Sequence, residues 1–342
     1  MNPFKLSLQD SIRLKGIALL LLLWHHLFYT GNSAYTECYV AGVAVIQTTG
    51  LMAKVCVALF VFLSGYGLTI QAQKFKLRYF DFMKKRLKKL MINYWVIWVL
   101  FVPIGFAFFG ISFQEVYGDH AWLKLIINIL GLQELFGFAG INPTWWFYSL
   151  IIVLYALFPL LFRCMSTLKR SIILGIITAI LVVLPHFTCT FAIQLYLVSF
   201  VLGIFIAKYC NHLKYNVLIA TPPHCVEIFL LIIILLLMLY LRCCATFNIS
   251  IGIDCILSLF IVMLYKYTLS NISNYFTRFL ELCGKHSFNI FLFHTFIYYL
   301  YFSEIIYYPR NPVLIFIGLL AVCLAISVCI EWLKKVTGIV RI

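Results

Sequence analysis

Apolar residues in this chain gather into long runs, and polar residues into the short stretches between them. The runs lie near 14–31, 48–70, 91–110, 145–163, 171–186, 192–208, 226–241, 249–268, 288–303 and 312–333, with a short turn at 186–190 between two of them. Several exceed the ~18 apolar residues that mark a helix crossing a hydrocarbon core about 30 Å thick. The pattern therefore predicts an all-α integral membrane protein, a bundle of about ten transmembrane helices. One stretch departs from it. Ala121–Gly140 is apolar but broken by Lys124, Asn128, Gln133, Glu134 and three glycines. It is expected to lie at the interface or re-enter the membrane, within a polar connection at 111–144.

Composition sharpens this picture. The chain is 64% apolar and 11% charged, with a mean hydropathy of +1.03. No soluble domain has that make-up, and ten spans in 342 residues leave no room for a separate soluble domain of ordinary size. A single membrane domain over residues 1–342 is expected. No A-x-A-like site follows the first run, which argues against a cleavable signal.

The net charge of +15 suggests a nucleic-acid partner until the cations are placed. With a cytoplasmic N-terminus and ten spans, all but four of the 26 Lys and Arg fall on the cytoplasmic side. The four are Lys54, Lys124, Arg242 and Arg310. This is the positive-inside bias of a membrane protein. It predicts both termini in the cytoplasm, an inner (plasma) membrane location, contact with lipid, and no nucleic acid. The densest cluster is Lys74 to Lys89, eight cations against Asp81, read as a basic cytoplasmic loop at 71–90. Twelve scattered cysteines with no C-x-x-C indicate neither a metal site nor a disulfide framework.

Candidate chemistry starts in the first run, Arg13 to Tyr29, which carries Lys15, His25 and His26. An ionisable group at membrane depth is costly and by default functional. Lys15 and His26 are about 20° apart in helical phase and roughly 16 Å apart along the axis. They share a face, whereas His25 lies about 100° away. Lys15 as a plain membrane anchor and His26 as a packed polar residue are the bland alternatives.

Elsewhere, His294 sits mid-span at a depth similar to His26, suited to orienting it, contacting substrate, or simple packing. Asp254 pairs either with Lys54 or with a histidine, and opposite charges in membranes favour the first. Ser64-Gly65 reads as a small pair for close helix packing, with no G-x-S-x-G elbow around the serine. Trp145 and Trp146 suit an interfacial aromatic belt better than a sugar-stacking platform.

Five short segments, in order, resemble the membrane acyltransferase-3 family. They are Lys15-Gly16-Ile17-Ala18…His26, Phe60-Val61-Phe62-Leu63-Ser64-Gly65-Tyr66, Arg86-Leu87-Lys88-Lys89, Trp146-Phe147…Tyr155…Pro159 and Gly284-Lys285-His286-Ser287…Leu292-Phe293-His294. Lys15 stands where the family commonly has arginine, offering a point charge in place of a bidentate fork. The resemblance implies an enzyme moving an acyl group, usually acetyl from cytoplasmic acetyl-CoA, onto a hydroxyl of a cell-envelope glycan. Acetyl-CoA is then a co-substrate, and no permanently bound cofactor is expected.

A neutral imidazole is the usual base for such a reaction near neutral pH, and it also suits covalent acyl transfer. The resemblance puts His26 and Lys15 in catalysis. It puts Arg86, Lys88 and Lys89 at the phosphates of the donor, and His294, Ser64, Trp146 and Tyr155 in support or substrate contact. The competing class is a flippase or transporter for a glycan or small molecule, although the paired broken helices of such proteins are not visible. A membrane glycosyltransferase would want a D-x-D site, which is missing.

The charge placement generates a direct test. Single cysteines introduced between 74 and 89 are expected to react with an impermeant reagent only from the cytoplasmic side, and cysteines in 115–142 only from outside. Labelling of the basic stretch from outside would invert the orientation.

Overall fold

In the computed structural model, which describes residues 2–31, 34–74, 79–184, 191–210 and 224–339, the chain is helical almost throughout. Fourteen α-helices follow in order: α1 (Leu8–Phe28), α2 (Val45–Met52), α3 (Val55–Lys74), α4 (Tyr79–Phe108), α5 (Phe113–Tyr117), α6 (Ala121–Ile129), α7 (Trp146–Cys164), α8 (Leu168–Val183), α9 (Phe191–Phe205), α10 (His224–Cys244), α11 (Phe247–Thr268), α12 (Tyr275–Thr295), α13 (Ser303–Tyr307) and α14 (Pro312–Val336). A two-residue ladder, Tyr39–Val40 with Val43–Ala44, is the only sheet among the described residues. Among the described residues, eight helical stretches are long and apolar enough to cross a membrane, with α2 and α3 together forming one of them. The remaining two expected spans are helices as well. They are the sixteen-residue α8 and α12, whose first turns carry Arg278 and Glu281.

The basic stretch is a helix where it is described, not a loop. Lys84 to Lys89 form the second and third turns of the 30-residue α4. Lys, Arg, Leu and Met are all good helix formers, and no Gly or Pro interrupts them. Residues 75–78, which complete the cluster, and the expected turn at 186–190 lie outside the described residues.

The chain forms two compact units. The first comprises residues 1–25, 51–77 and 156–285. Its centre is α3 packed on α9 and α11, with α8 against α9 and α10 against α11. Glycines set how closely these helices meet. A Cβ at Gly65 would overlap the carbonyl oxygen of Phe200, and one at Gly203 that of Phe62. Gly16 and Gly284 play the same part where α1 meets the start of α12, each facing a backbone carbonyl, of Leu280 and Ile12 respectively.

The first turn of α1 is built by Ser7 and Asp10, which hydrogen-bond each other's backbone N–H. Asp10 also accepts from Tyr265 and pairs with Lys266 at 3.0 Å. Arg13 pairs with Glu281 at 2.8 Å and donates to the Ile272 carbonyl at 3.0 Å. The start of α1, the end of α11 and the start of α12 therefore lie together.

The second unit comprises residues 26–50, 78–155 and 286–342. Here α6 settles the broken stretch at 121–140. It has nine residues, about 13.5 Å at 1.5 Å per residue, too short to cross. Its C-terminal carbonyls end in protein rather than water. Tyr94 donates to Asn128 O at 2.5 Å, Trp95 to Ile129 O at 2.9 Å, and Ser149 to Gly131 O at 2.7 Å. Trp98 and Tyr117 both donate to the Asn128 side chain at 3.1 Å. Next to Tyr94 along α4, Asn93 at mid-helix accepts from Lys334 near the end of α14.

The glycine contact in the first unit makes a prediction. Gly284→Ala places a methyl against backbone that cannot step aside. It should cost at least the ~1–3 kcal/mol of ordinary overpacking. Gly318→Ala, which meets nothing within 4 Å, should cost nothing. Thermal unfolding of both variants in detergent reads the difference, and equal midpoints would show that α1 and α12 do not depend on this contact.

Candidate active site

The second unit brings two of the sequence-predicted residues together. The His26 and His294 rings lie 4.9 Å apart, centroid to centroid, tilted by 54°. Tyr298 completes a cluster of rings, stacked on His294 at 5.8 Å and 6.3 Å from His26. Tyr29 meets His26 edge-on at 6.2 Å. His26 is half-buried and His294 is fully buried. His25 is buried on its own side of α1, so it faces protein rather than lipid.

The hydrogen bonds of His294 fix its chemistry. Its Nδ1 is 3.1 Å from Ile290 O and 2.9 Å from Phe291 O, the carbonyls one turn back on α12. A carbonyl oxygen only accepts, so Nδ1 carries the proton and Nε2 keeps a lone pair. That Nε2 is buried with no hydrogen-bond partner among the described residues. A buried imidazole nitrogen left open next to a second imidazole is a base without a proton to hold.

The loop before α7 grips α12 beside His294. Trp145 Nε1 donates to Leu292 O at 2.8 Å, and Asn142 Nδ2 reaches the same oxygen at 3.3 Å. Thr144 and Thr295 share a hydroxyl bond at 3.1 Å. The helix widens into a π-type turn over Phe296–Tyr301, a distortion frequent at functional sites. The grip corrects one expectation. Trp145 is fully buried as a structural clamp, neither in an interfacial belt nor free to stack on a sugar. Trp146 is half-buried edge-on to Phe147, and Tyr155 is half-buried one turn before Pro159.

The cations of α4 belong to this unit too. Arg86 is half-buried, and Lys88 and Lys89 are exposed. None of the three makes a hydrogen bond or ion pair among the described residues. They are uncommitted cations on the first turns of a helix.

Two other predicted residues lie in the first unit. Lys15 is half-buried on α1 beside the packing glycine Gly16, and Ser64 is half-buried on α3. The neighbours of Ser64 in the motif are structural. Gly65 permits contact with α9, and the Tyr66 hydroxyl accepts from Leu6 N at 2.9 Å and donates to Phe4 O at 3.1 Å.

Asp254 is not a histidine partner, and its hydrogen-bonded ion pair is with Arg242 rather than the expected Lys54, which acts on it only through charge at longer range. Arg242, twelve residues earlier on α10, takes both carboxylate oxygens, at 2.5 and 3.1 Å. The planar guanidinium matches a carboxylate bidentately, which an ammonium cannot do. Lys54, at the break between α2 and α3, instead sits over the Phe247 ring at 4.1 Å. No group of His, Cys, Asp and Glu among the described residues forms a metal cage.

Asn142, Thr144, Thr295 and Tyr298 were not singled out by sequence reasoning. Their signal was faint: polar groups flanking an apolar run, in the Asn142-Pro143-Thr144 approach to α7 and just after His294. A family model described as an acyltransferase domain, that of acyltransferase family 3, matches residues 11–332. No curated protein and no solved structure matches the chain.

The Arg242–Asp254 pair should prove architectural. Arg242→Met strands a buried carboxylate and should cost roughly 3–5 kcal/mol, whereas Arg242→Met with Asp254→Leu should recover most of that. The double variant should keep its activity per folded molecule. Loss of activity in a fully folded double variant would place the pair in the chemistry instead.

Proposed function

Because the chain belongs to acyltransferase family 3, we propose that it transfers an acyl group, most simply acetyl, from cytoplasmic acyl-CoA to a hydroxyl of a cell-surface or lipid-linked glycan. Acyl transfer and a multi-pass membrane location come with the family. Donor, acceptor, inner-membrane location and the roles of the residues are our additions.

The observation that carries this reading is the contact between the two imidazoles. With His294 Nδ1–H held by backbone carbonyls, its Nε2 is an acceptor. A His26 N–H donated to that lone pair leaves the second His26 nitrogen to accept a proton from the attacking hydroxyl. His26 is then the general base, and His294 orients its ring and shares the charge of the imidazolium that forms. The hydroxyl oxygen attacks the thioester carbon, the C–O bond forms as the C–S bond breaks, and the thiolate leaves with the proton His26 had taken. Arg86, Lys88 and Lys89 suit the phosphates of CoA, each as a charge-assisted contact. Lys15 shares the His26 face of α1, roughly 16 Å along the helix.

The histidine pair gives the sharpest test. His26→Ala should leave folded protein whose O-acylation is near background, since a general base contributes roughly 10²–10⁴-fold. His25→Ala should keep a substantial part of the activity, and Lys15→Arg more than Lys15→Ala. NMR of the surface glycan, together with thiol release from acetyl-CoA by the purified protein, reads both ends of the reaction. An active His26→Ala beside a dead His25→Ala would overturn the assignment.

A further inference from the structure

The deepest cation among the described residues of the second unit lies outside the ring cluster. Lys334 is only 1% exposed, although it is two residues from the end of α14. Its Nζ donates to three acceptors: Asn93 Oδ1 on α4 at 2.6 Å, Asn289 Oδ1 on α12 at 3.1 Å, and Glu331 Oε1 on its own helix at 2.8 Å. That uses every proton of the ammonium. The acceptors are tied to one another. Asn289 Nδ2 donates to Glu331 Oε1 at 2.7 Å and to Ser327 Oγ at 3.3 Å, and Ser327 Oγ lies 2.8 Å from His286 Nδ1.

Stability is a weak reason to keep such a hub. Apolar side chains of similar volume commonly replace a buried ion pair at no loss. What they cannot supply is directional bonding that fixes one helix at one height on another. Height matters here because of what the two partner helices carry. Asn93 is one turn beyond Lys89 and nearly in phase with Arg86, seven residues back. Asn289 is five residues, about 7.5 Å, before His294. One ammonium thus joins the helix bearing the uncommitted cations to the helix bearing the open imidazole nitrogen.

We propose that Lys334 is a positioning residue for the acyl donor: through Asn93 and Asn289 it holds α4 and α12 in the register that lets one CoA thioester span from Arg86 and Lys89 to the histidines. This rests on the donor reading above. A shift of one residue between the helices would displace the phosphate contacts by about 1.5 Å relative to the histidine, which is enough to lose a near-attack geometry.

The test uses the full chain in nanodiscs, with the Lys334→Met, Glu331→Met double variant. Lys334→Gln, which keeps a donor and drops the charge, is made alongside in case the apolar variant does not fold. CoA itself, which cannot transfer, is the binding probe. Spin labels at the exposed Lys85 and Trp332 report the register of α4 on α14. The double variant should unfold at nearly the wild-type temperature. CoA binding and the KM for acetyl-CoA should weaken by roughly tenfold, the cost of misplacing one charged contact, while kcat falls less. The label distances should broaden. Asn93→Asp, which keeps an oxygen for Lys334, should preserve CoA binding, and Asn93→Leu should not. Unchanged CoA binding, or an unchanged distance distribution, in the folded double variant overturns the proposal. Wild-type protein that binds no CoA overturns the donor reading instead, and the distances still decide the register.

Discussion

A polar atom at membrane depth has only protein to bond with. Each one left open costs free energy that water would otherwise have recovered. Most of this structure follows from that constraint. The last carbonyls of α6 are met by the phenol and indole donors of Tyr94 and Trp95, so a nine-residue helix can end inside the protein. Arg242 and Asp254 neutralise each other where α10 and α11 meet. Trp145 and Asn142 satisfy a carbonyl beside the widened turn of α12. Asn128 Nδ2 and both polar side-chain atoms of Gln133 are also buried without a partner among the described residues, and the open nitrogen of His294 differs from them in lying beside a second imidazole. His294 has spent one nitrogen on its own helix and kept the other next to His26. Both bonds and opening come from the same few residues of α12.

The segments that resemble the family divide, on inspection of their contacts, into architecture and chemistry. Gly284 faces the Ile12 carbonyl, Gly65 faces Phe200, and Tyr66 pins the chain ahead of α1. These residues are wanted for closeness and for anchoring. His26, His294 and the cations of α4 are the residues to which the proposed reaction is given, His26 and His294 for their ring contact. A short motif in a membrane protein is in this sense two patterns superimposed. One keeps helices together, and the other acts on substrate.

The architecture was legible because nothing but a membrane accommodates runs so long and apolar. Helical phase and the spacing from Lys15 in the family signature both favour His26 over His25. What stayed hidden depended on partners far apart in sequence. Charge suggests solvent and hence a loop for the basic stretch, yet its described residues from Tyr79 on belong to α4, where Lys, Arg, Leu and Met are strong helix formers. Opposite charge alone matches Asp254 to Lys54, and only geometry shows that the guanidinium of Arg242 fits the carboxylate better. Trp145 looked interfacial because it opens a span, but its indole N–H is needed inside. Lys334 resembled any cytoplasmic anchor, since no sequence pattern reveals that Asn93 and Asn289 wait for its ammonium.

The central claim is that an acyl thioester entering from the basic end of α4 is discharged at the paired imidazoles. Proteoliposomes with the protein in one orientation, given radiolabelled acetyl-CoA on one side at a time, test it most directly. Label transfer to a hydroxyl acceptor is expected only when acetyl-CoA is on the side of Lys84–Lys89, and from neither side once His294 is replaced by alanine. Equal transfer from both sides, or undiminished transfer without His294, would contradict it.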